Sequence, residues 1–485
     1  MRSQRNHSLR RENFLQLISC LYRSCNQLDR FAYYFIALLS ALLVVALFYP
    51  GMFSNDTLSQ WSQAVNDSYD NWHPAIMAIM MHILNPMLGI GGIFIVHQIL
   101  YWASIAIFVD LIFNRNLLWF YAIGLFPPVF TISLSVFKDV GFIVSCMGAI
   151  SLFILYVSSK KKSVLFLSLM LLLYAGCVRI NGLAITAILV FCGASFLFKA
   201  TAKRILISLF CVFCTFLITF SANVAINKVY DVREVNPIAT LLLWDIAGVY
   251  CYSGQDRPPP KAVAVVDAAR AKNWLDYYRS DTCSLCWYSG VSCVLPSKES
   301  AEHLFNFWFH EIKQQPVAYL KHRYELSKHL FGLNGKIFYA YHSWHQNERD
   351  LNSGEARLGD FSKTVFSKIE KMFYLSESLY LAQPFVWIIV EVIILLYGLI
   401  LFCCRRAISL EKFLAFSLAF SGLPNAFTLI FISVAADYRY IVWTVLSGFL
   451  SVLLLVADHY QNRKTRGLRL EKQTTTMSET ETEEQ

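Results

Sequence analysis

Phe31-Ala-Tyr-Tyr-Phe-Ile-Ala-Leu-Leu-Ser-Ala-Leu-Leu-Val-Val-Ala-Leu-Phe-Tyr-Pro50 carries no charge. A run of about 20 apolar residues is what a helix needs to pass through the hydrocarbon core of a bilayer. Directly behind it comes Gly51-Met-Phe-Ser-Asn-Asp-Thr-Leu-Ser-Gln-Trp-Ser-Gln-Ala-Val-Asn-Asp-Ser-Tyr-Asp-Asn-Trp-His-Pro74. This loop holds three carboxylates (Asp56, Asp67, Asp70), one imidazole (His73) and two indoles (Trp61, Trp72), without Lys or Arg. The whole chain has a formal net charge of +9, so a cation-free loop pinned to a membrane surface is unusual. Carboxylates in such a place can act as general bases.

Working outward, the rest of the chain has the same character. Of 485 residues, 56% are hydrophobic and only 15% charged, where a soluble domain carries ~25% charged residues. The basic excess is not a nucleic-acid footprint, because Lys and Arg fall in short clusters between apolar runs, where they set orientation. Residues 1–30, with Arg2, Arg5, Arg10, Arg11, Arg23 and Arg30, read as a basic cytoplasmic arm on anionic headgroups rather than a removable signal peptide.

Further apolar runs lie at about 91–113, 117–135, 140–158, 163–178, 182–199 and 204–225, then 384–404, 413–433 and 440–457. With 31–50 they make a mainly α, polytopic bundle of about ten spans. Residues 75–88, interrupted by His82, Asn85 and Pro86, read as a re-entrant or interfacial helix, too short to cross. Residues 31–225 and 384–457 thus form the bundle, 226–383 a large outer loop domain, and 458–485 a tail whose Thr/Ser/Glu-rich end from Thr474 is expected to be disordered. The clusters Arg115, Lys160-Lys161-Lys162, Lys199, Lys203-Arg204, Arg405-Arg406 and Lys412 fall on the side of the N-terminus, which places both termini in the cytoplasm. The acidic loop, Lys138-Asp139, Arg179, the large loop and Asp437-Tyr-Arg-Tyr440 then fall on the opposite, periplasmic or lumenal face.

The large loop contains Pro258-Pro259-Pro260, an extended piece, and two helices expected at 301–315 and 317–331, with Pro316 at the start of the second. Its four cysteines, Cys251, Cys283, Cys286 and Cys293, suggest two disulfides on an oxidising side, with three ways of pairing. A four-thiolate zinc site is the competing reading.

Each polar residue at the outer face carries two readings. Asp56 is a helix N-cap, or a general base whose pKa is raised by low-dielectric surroundings. Asp67 and Asp70 with Trp72-His73 make a turn, or offer a stacking face and a donor to phosphate. Lys138-Asp139 is a neutralised pair at a span boundary, or Lys138 binds phosphate as a point charge. Arg179 snorkels, or contacts substrate. Arg439 pairs with Asp437, or forms a bidentate bond to phosphate. Glu391, inside a span, is costly toward lipid and should face the bundle. No Walker A loop, dinucleotide fingerprint, His-Glu-x-x-His or Gly-x-Ser-x-Gly motif occurs.

Asp56 just after the first span, Trp72-His73-Pro74, Lys138-Asp139, Trp308 through Pro316, Tyr319-Leu-Lys-His-Arg323 and Asp437-Tyr-Arg-Tyr440 together resemble the GT-C class of integral membrane glycosyltransferases. Chain length and span count resemble the bacterial and phage serotype-converting O-antigen glucosyltransferases (Gtr type). The resemblance implies a polyprenyl-phosphate sugar donor, a lipid-linked glycan acceptor and a bacterial inner-membrane location. A flippase and a cytoplasmic-side synthase of the sugar lipid are the partners it implies. Asp56 takes the place of the catalytic carboxylate. Asp67, Asp70, Trp72, His73, Lys138, Asp139, Arg179, Arg323, Asp437 and Arg439 make the substrate-binding set. No acidic dyad stands beside Asp56, which leaves the need for a divalent cation open. A transporter or flippase for a lipid-linked glycan, or an acyltransferase acting on such glycans, are the competing classes; the first predicts polar residues through the bundle midplane.

Overall fold

The computed structural model describes residues 28–198, 201–255, 273–283, 285, 298–335, 360–406 and 408–483. These residues are mainly helical, and their only strand-like pairings are isolated bridges. Helix α1 (Arg30–Phe48) is capped by the Asp29 carboxylate, which accepts from the Phe31 amide. Gly51 follows at φ +94°, and a Cβ there would stand 2.7 Å from Val136 and 2.8 Å from Phe94. Only glycine tolerates both that backbone and that approach. Helices α2 (Asn55–Asn66) and α3 (Ile76–Leu88) then remain at the end where α1 stopped. The carbonyl of Leu88 accepts from the Tyr49 hydroxyl at 3.0 Å, so α3 returns to the end it left and does not cross.

Helix α4 (Gly92–Phe113) leads to the far end, and α5 (Leu117–Gly124) with α6 (Pro127–Ser133) leads back. Next come α7 (Lys138–Ser159), α8 (Lys162–Val178), α9 (Leu183–Leu197) and α10 (Thr201–Val229). Outside the spans lie α11 (Ile238–Ser253), α12 (Lys298–Gln314), α13 (Pro316–Leu330) and α14 (Asp360–Ser378). The chain closes with α15 (Pro384–Cys403), α16 (Leu410–Ile432) and α17 (Tyr438–Glu483).

Eight helices among the described residues are long and apolar enough to cross a membrane: α1, α4, α7, α9 with the turn before it, α10, α15, α16 and the Tyr438–Gln461 part of α17. The protein is therefore a multi-pass helical membrane protein. Two of the ten expected crossings are not continuous long helices. The stretch 117–135 breaks because Pro127 and Pro128 supply no amide donors and push Phe126 out of helical geometry. Helix α8 is apolar but has only 17 residues, a reach of about 25 Å.

The two ends of the bundle are distinguished by what meets there. At the basic end, Arg30 and Arg115 each lie 3.3 Å from Asp110, and Lys412 lies 2.9 Å from Asp458. At the loop end, Met52 bridges Ser135, and Thr282 bridges Ala435. Helix α17 packs along α16 and α15, and α7 along α4 and α8, so the starts of α7 and α17 come together beside α2.

Within the bundle, the Glu391 carboxylate of α15 accepts from Ser447 Oγ of α17 at 2.5 Å and is fully buried. The backbone of α16 passes against it at Gly422, where an added Cβ would meet both the Glu391 carboxyl and the Ser447 hydroxyl. Gly422→Ala is accordingly expected to destabilise the protein by about 1–3 kcal/mol through overpacking. A thermal melt in detergent checks this; an unchanged midpoint would mean that the three helices do not meet so closely.

Other expectations met different fates. The helices expected around Pro316 form at Lys298–Gln314 and Pro316–Leu330, with the proline in the first turn. Helix α17 runs on past the span to Glu483, through good helix formers such as Arg466, Leu468, Arg469, Leu470, Glu471 and Lys472. Of the four loop cysteines, the two that fall among the described residues, Cys251 and Cys283, are not joined to each other. Cys251 is an exposed free thiol near the end of α11, whereas buried Cys283 directs its sulfur to the Thr240 carbonyl near the start of that helix. Those positions on α11 are about 16 Å apart along the axis, beyond the reach of a disulfide. Cys286, Cys293, Pro258-Pro259-Pro260 and residues 1–27 of the basic arm lie outside the described residues.

Candidate catalytic site

The site begins with a helix cap. Ser54, not Asp56, caps α2: its hydroxyl accepts from the Thr57 amide and the Thr57 side chain accepts from the Ser54 amide. This reciprocal pairing satisfies two orphan donors and leaves the Asp56 carboxylate, in the first turn, with no capping task. A negative charge is favoured at that helix end. Thr57 Oγ1 also donates to the Val136 carbonyl at 2.7 Å. The Met52 amide bonds the Leu134 carbonyl, and the Val136 amide bonds the Met52 carbonyl. These bonds fasten the start of α2 to the segment that leads into Lys138.

Around Asp56 the distant motifs converge. Arg439 Nη2 lies 2.7 Å from Asp56 Oδ2, and its Nε lies 2.8 Å from Asp437 and 3.9 Å from Asp139. The guanidinium also sits over the rings of Phe137 (4.8 Å) and Tyr440 (5.2 Å). Behind it, Arg179 Nε lies 3.2 Å from Asp139, and Nη2 donates to the Tyr440 carbonyl. On the other side, His73 Nε2 is 3.6 Å from Asp56 Oδ1, and Lys138 Nζ is 2.9 Å from His73 Nδ1. Three carboxylates are thus matched by Arg439, Arg179 and Lys138 in a largely buried cluster. In such a medium an unmatched charge is costly, so the pairing is what allows the ions to be there.

The electrostatics correct one expectation. Burial by itself pushes the Asp56 carboxyl up, but the Arg439 charge, the adjacent His73 ring and the Lys138 charge outweigh it and hold the group well below the usual carboxylate range. The raised value expected from low-dielectric surroundings does not occur. Asp56 keeps 33% of its side-chain surface accessible, so the ion faces an opening while its charge is compensated from within. Asp437, more deeply buried, goes the other way: loss of hydration raises it despite the adjacent Arg439.

Burial and then the Lys138 charge lower His73, against the pull of Asp56, so the imidazole is neutral near pH 7. An ammonium can only donate, so Nδ1 accepts from Lys138 and the ring proton is assigned to Nε2, facing Asp56. The unfolded chain takes up this histidine's proton near pH ~6.5, whereas the folded chain does so only at lower pH. The sign follows: the stabilising contribution of His73 is complete above about pH 6.5 and is lost as the pH falls toward its lowered value. The melting midpoint in detergent is therefore expected to drop on acidification from about pH 7.5 to 5.5, less steeply in His73→Gln. Equal slopes for the two proteins would remove His73 as the cause.

Not every expected site residue joins this group. Asp67 is the left-handed C-cap of α2, φ 47°, and is exposed. Asp70 accepts from Gln63 Nε2 and from the Trp72 amide, and lies 3.5 Å from Arg233. Asn71 extends this latch, its amide bonding the Arg233 carbonyl and its side chain accepting from the Val235 amide. Asp67 and Asp70 thus shape the loop, and Trp72 packs half-buried against the core.

Arg323 is buried in a second network. Its Nη2 lies 2.6 Å from Asp245, which also meets His322 Nε2 at 3.2 Å and accepts from Trp308 Nε1 at 2.9 Å. Arg323 Nη1 donates to the Ser433 carbonyl at 2.7 Å, and the Ala436 amide bonds the Asp281 carbonyl. This network braces the turn that presents Asp437 and Arg439. Asp245 escaped the sequence reading, and His322 entered it only inside the Tyr319–Arg323 motif; the available signal for Asp245 was a carboxylate inside an apolar run, costly unless paired.

Among the described residues, no three His, Cys, Asp or Glu side chains gather as a metal-binding group. No family model, curated protein or solved structure matches the chain.

Proposed function

We propose that this protein is a membrane glycosyltransferase that moves a sugar, most simply glucose, from polyprenyl phosphate to a lipid-linked glycan such as O-antigen, with Asp56 as general base. The observation that carries the reading is the divided site at one membrane end. An accessible carboxylate stands between a guanidinium and a Lys–His pair, contributed by the first loop and the starts of two spans. In the reaction an acceptor hydroxyl attacks the anomeric carbon and Asp56 takes its proton. The bond from that carbon to the phosphate oxygen breaks, and its electron pair remains on the lipid phosphate. Arg439 and Lys138 then face the growing negative charge. Displacement on the side opposite the phosphate inverts the anomeric centre.

The Asp56–Arg439 contact gives this scheme an order. While Arg439 holds it, Asp56 is a weak base. A donor phosphate competes for the same guanidinium, and its arrival removes the main charge that lowers Asp56. Proton abstraction then coincides with donor occupancy, which protects the acceptor from futile deprotonation.

The basic clusters at the opposite end support a cytoplasmic position for both termini, with the site on the outer face of a bacterial plasma membrane. The test is the purified protein in nanodiscs with polyprenyl-phosphate-glucose and a lipid-linked glycan, read by the acceptor's mass. A hexose increment is expected. No increment with any polyprenyl-phosphate hexose would sink the reading, and movement of unmodified glycan lipid between leaflets would favour a transporter.

A further inference from the structure

Far from the catalytic group, a cavity of about 520 Å³ opens between α7, α8, α9, α10 and α16. Its walls include Phe153, Leu169, Gly193, Cys211, Cys214 and Phe413, and no charged side chain lines it. The residues from α8 and α9 belong to the half of the bundle nearer the basic end. Helix α10 forms the outer wall and is loosely held, with only 11% of its span buried. Leu206, Leu209, Phe210 and Phe213 on that helix are exposed, so the approach to the cavity is from the lipid side.

The rim supplies the second observation. Leu165, a lining residue, stands one helical turn from Lys162 and Lys161 at the start of α8, and Lys203 and Arg204 occupy the first turn of α10. None of these four is paired with a described carboxylate. Lys412, next to lining residue Phe413, is already paired with Asp458, and Glu411 is the remaining acid on that rim. A cleft for an acyl chain lies below a crown with excess positive charge. We infer that it binds an anionic phospholipid of the leaflet at the basic end, one chain in the cleft and the phosphate between α8 and α10. A zwitterionic headgroup would bring its ammonium into the same cations, which disfavours it. The site is independent of sugar transfer.

The test uses full-length protein in detergent, with bound lipid counted by native mass spectrometry after adding phosphatidylglycerol, phosphatidylcholine or polyprenyl phosphate of matched concentration. Phosphatidylglycerol is expected to be retained about tenfold over phosphatidylcholine. Replacing Lys161, Lys162, Lys203 and Arg204 together by Gln, all at the surface of the bundle, should reduce it to the phosphatidylcholine level. Gly193→Trp should lower retention of phosphatidylglycerol by filling the cleft; the glycine's nearest neighbour, Phe153, stands 3.5 Å from an added Cβ. Cys211 and Cys214 give a readout on the native chain, since bound phosphatidylglycerol should slow their alkylation by N-ethylmaleimide. Equal retention of the two phospholipids, or a preference that survives the charge substitutions, would overturn the inference. Retention of polyprenyl phosphate above phosphatidylglycerol would also overturn it, assigning the cleft to a polyprenyl chain.

Discussion

On the proposed function, Asp56→Asn is expected to slow sugar transfer by about 10²–10⁴-fold while the protein still folds. Asparagine keeps an oxygen that accepts from Arg439 at the position where Asp56 Oδ2 now stands, 2.7 Å away. The turn geometry also survives, because Ser54 and Thr57, not Asp56, cap the helix. What is lost is the capacity to take a proton. The substitution should therefore act on kcat. KM for the lipid donor should not rise, since the residue that competes with phosphate for Arg439 has been weakened. Full activity in Asp56→Asn would remove this residue as the base. A loss confined to KM would instead make it a binding group.

Arg439→Ala is expected to cost about 3–5 kcal/mol of stability, the largest structural effect of any single substitution in the site. It leaves Asp437, 8% exposed, without its 2.8 Å partner, and strips Asp56 of its principal counter-charge. Asp139 retains Arg179. Because Asp56 is accessible to water, part of its cost is relieved by hydration, and the loss should lie toward the lower bound. Arg439→Lys restores charge but not the fork that bridges Asp56 and Asp437, so recovery should be partial. The gap between wild type and Arg439→Ala should narrow as the pH falls, since burial already raises Asp437 and protonation discharges it. Thermal melts in detergent at about pH 7.5 and 5 would reveal this; an Ala variant as stable as wild type at both would contradict the buried-pair account.

Much of the site was legible before any coordinates. Asp56, His73, Lys138, Asp139, Arg179, Asp437 and Arg439 stand out because ionisable groups at the ends of apolar runs are expensive and so call for a reason. Their partners were not legible. Asp437 with Arg439 is a local pair, yet Arg439 also binds Asp56 from 383 residues away, and Lys138 binds His73 rather than Asp139. The sign of the Asp56 shift depended on those pairings. Burial alone argued for a rise; the neighbouring cations reversed it. Asp67, Asp70 and Arg323 carry the same chemistry as the site residues, and only their positions, on a latch and in a bracing network, separate them from it.

The sequence by itself determined the membrane-helical class and the positions of the long spans. In a bilayer each segment must satisfy its own backbone hydrogen bonds, so about 20 consecutive apolar residues decide the matter locally. Composition also placed the acidic loop and the basic clusters at opposite ends. Tertiary structure decided which helices break, since the Pro127-Pro128 pair is tolerated only where neighbours pack around it. It decided too which charges meet. Ion pairing in a low-dielectric interior is set by distances of a few ångströms between groups far apart in the chain, and no local pattern encodes those distances.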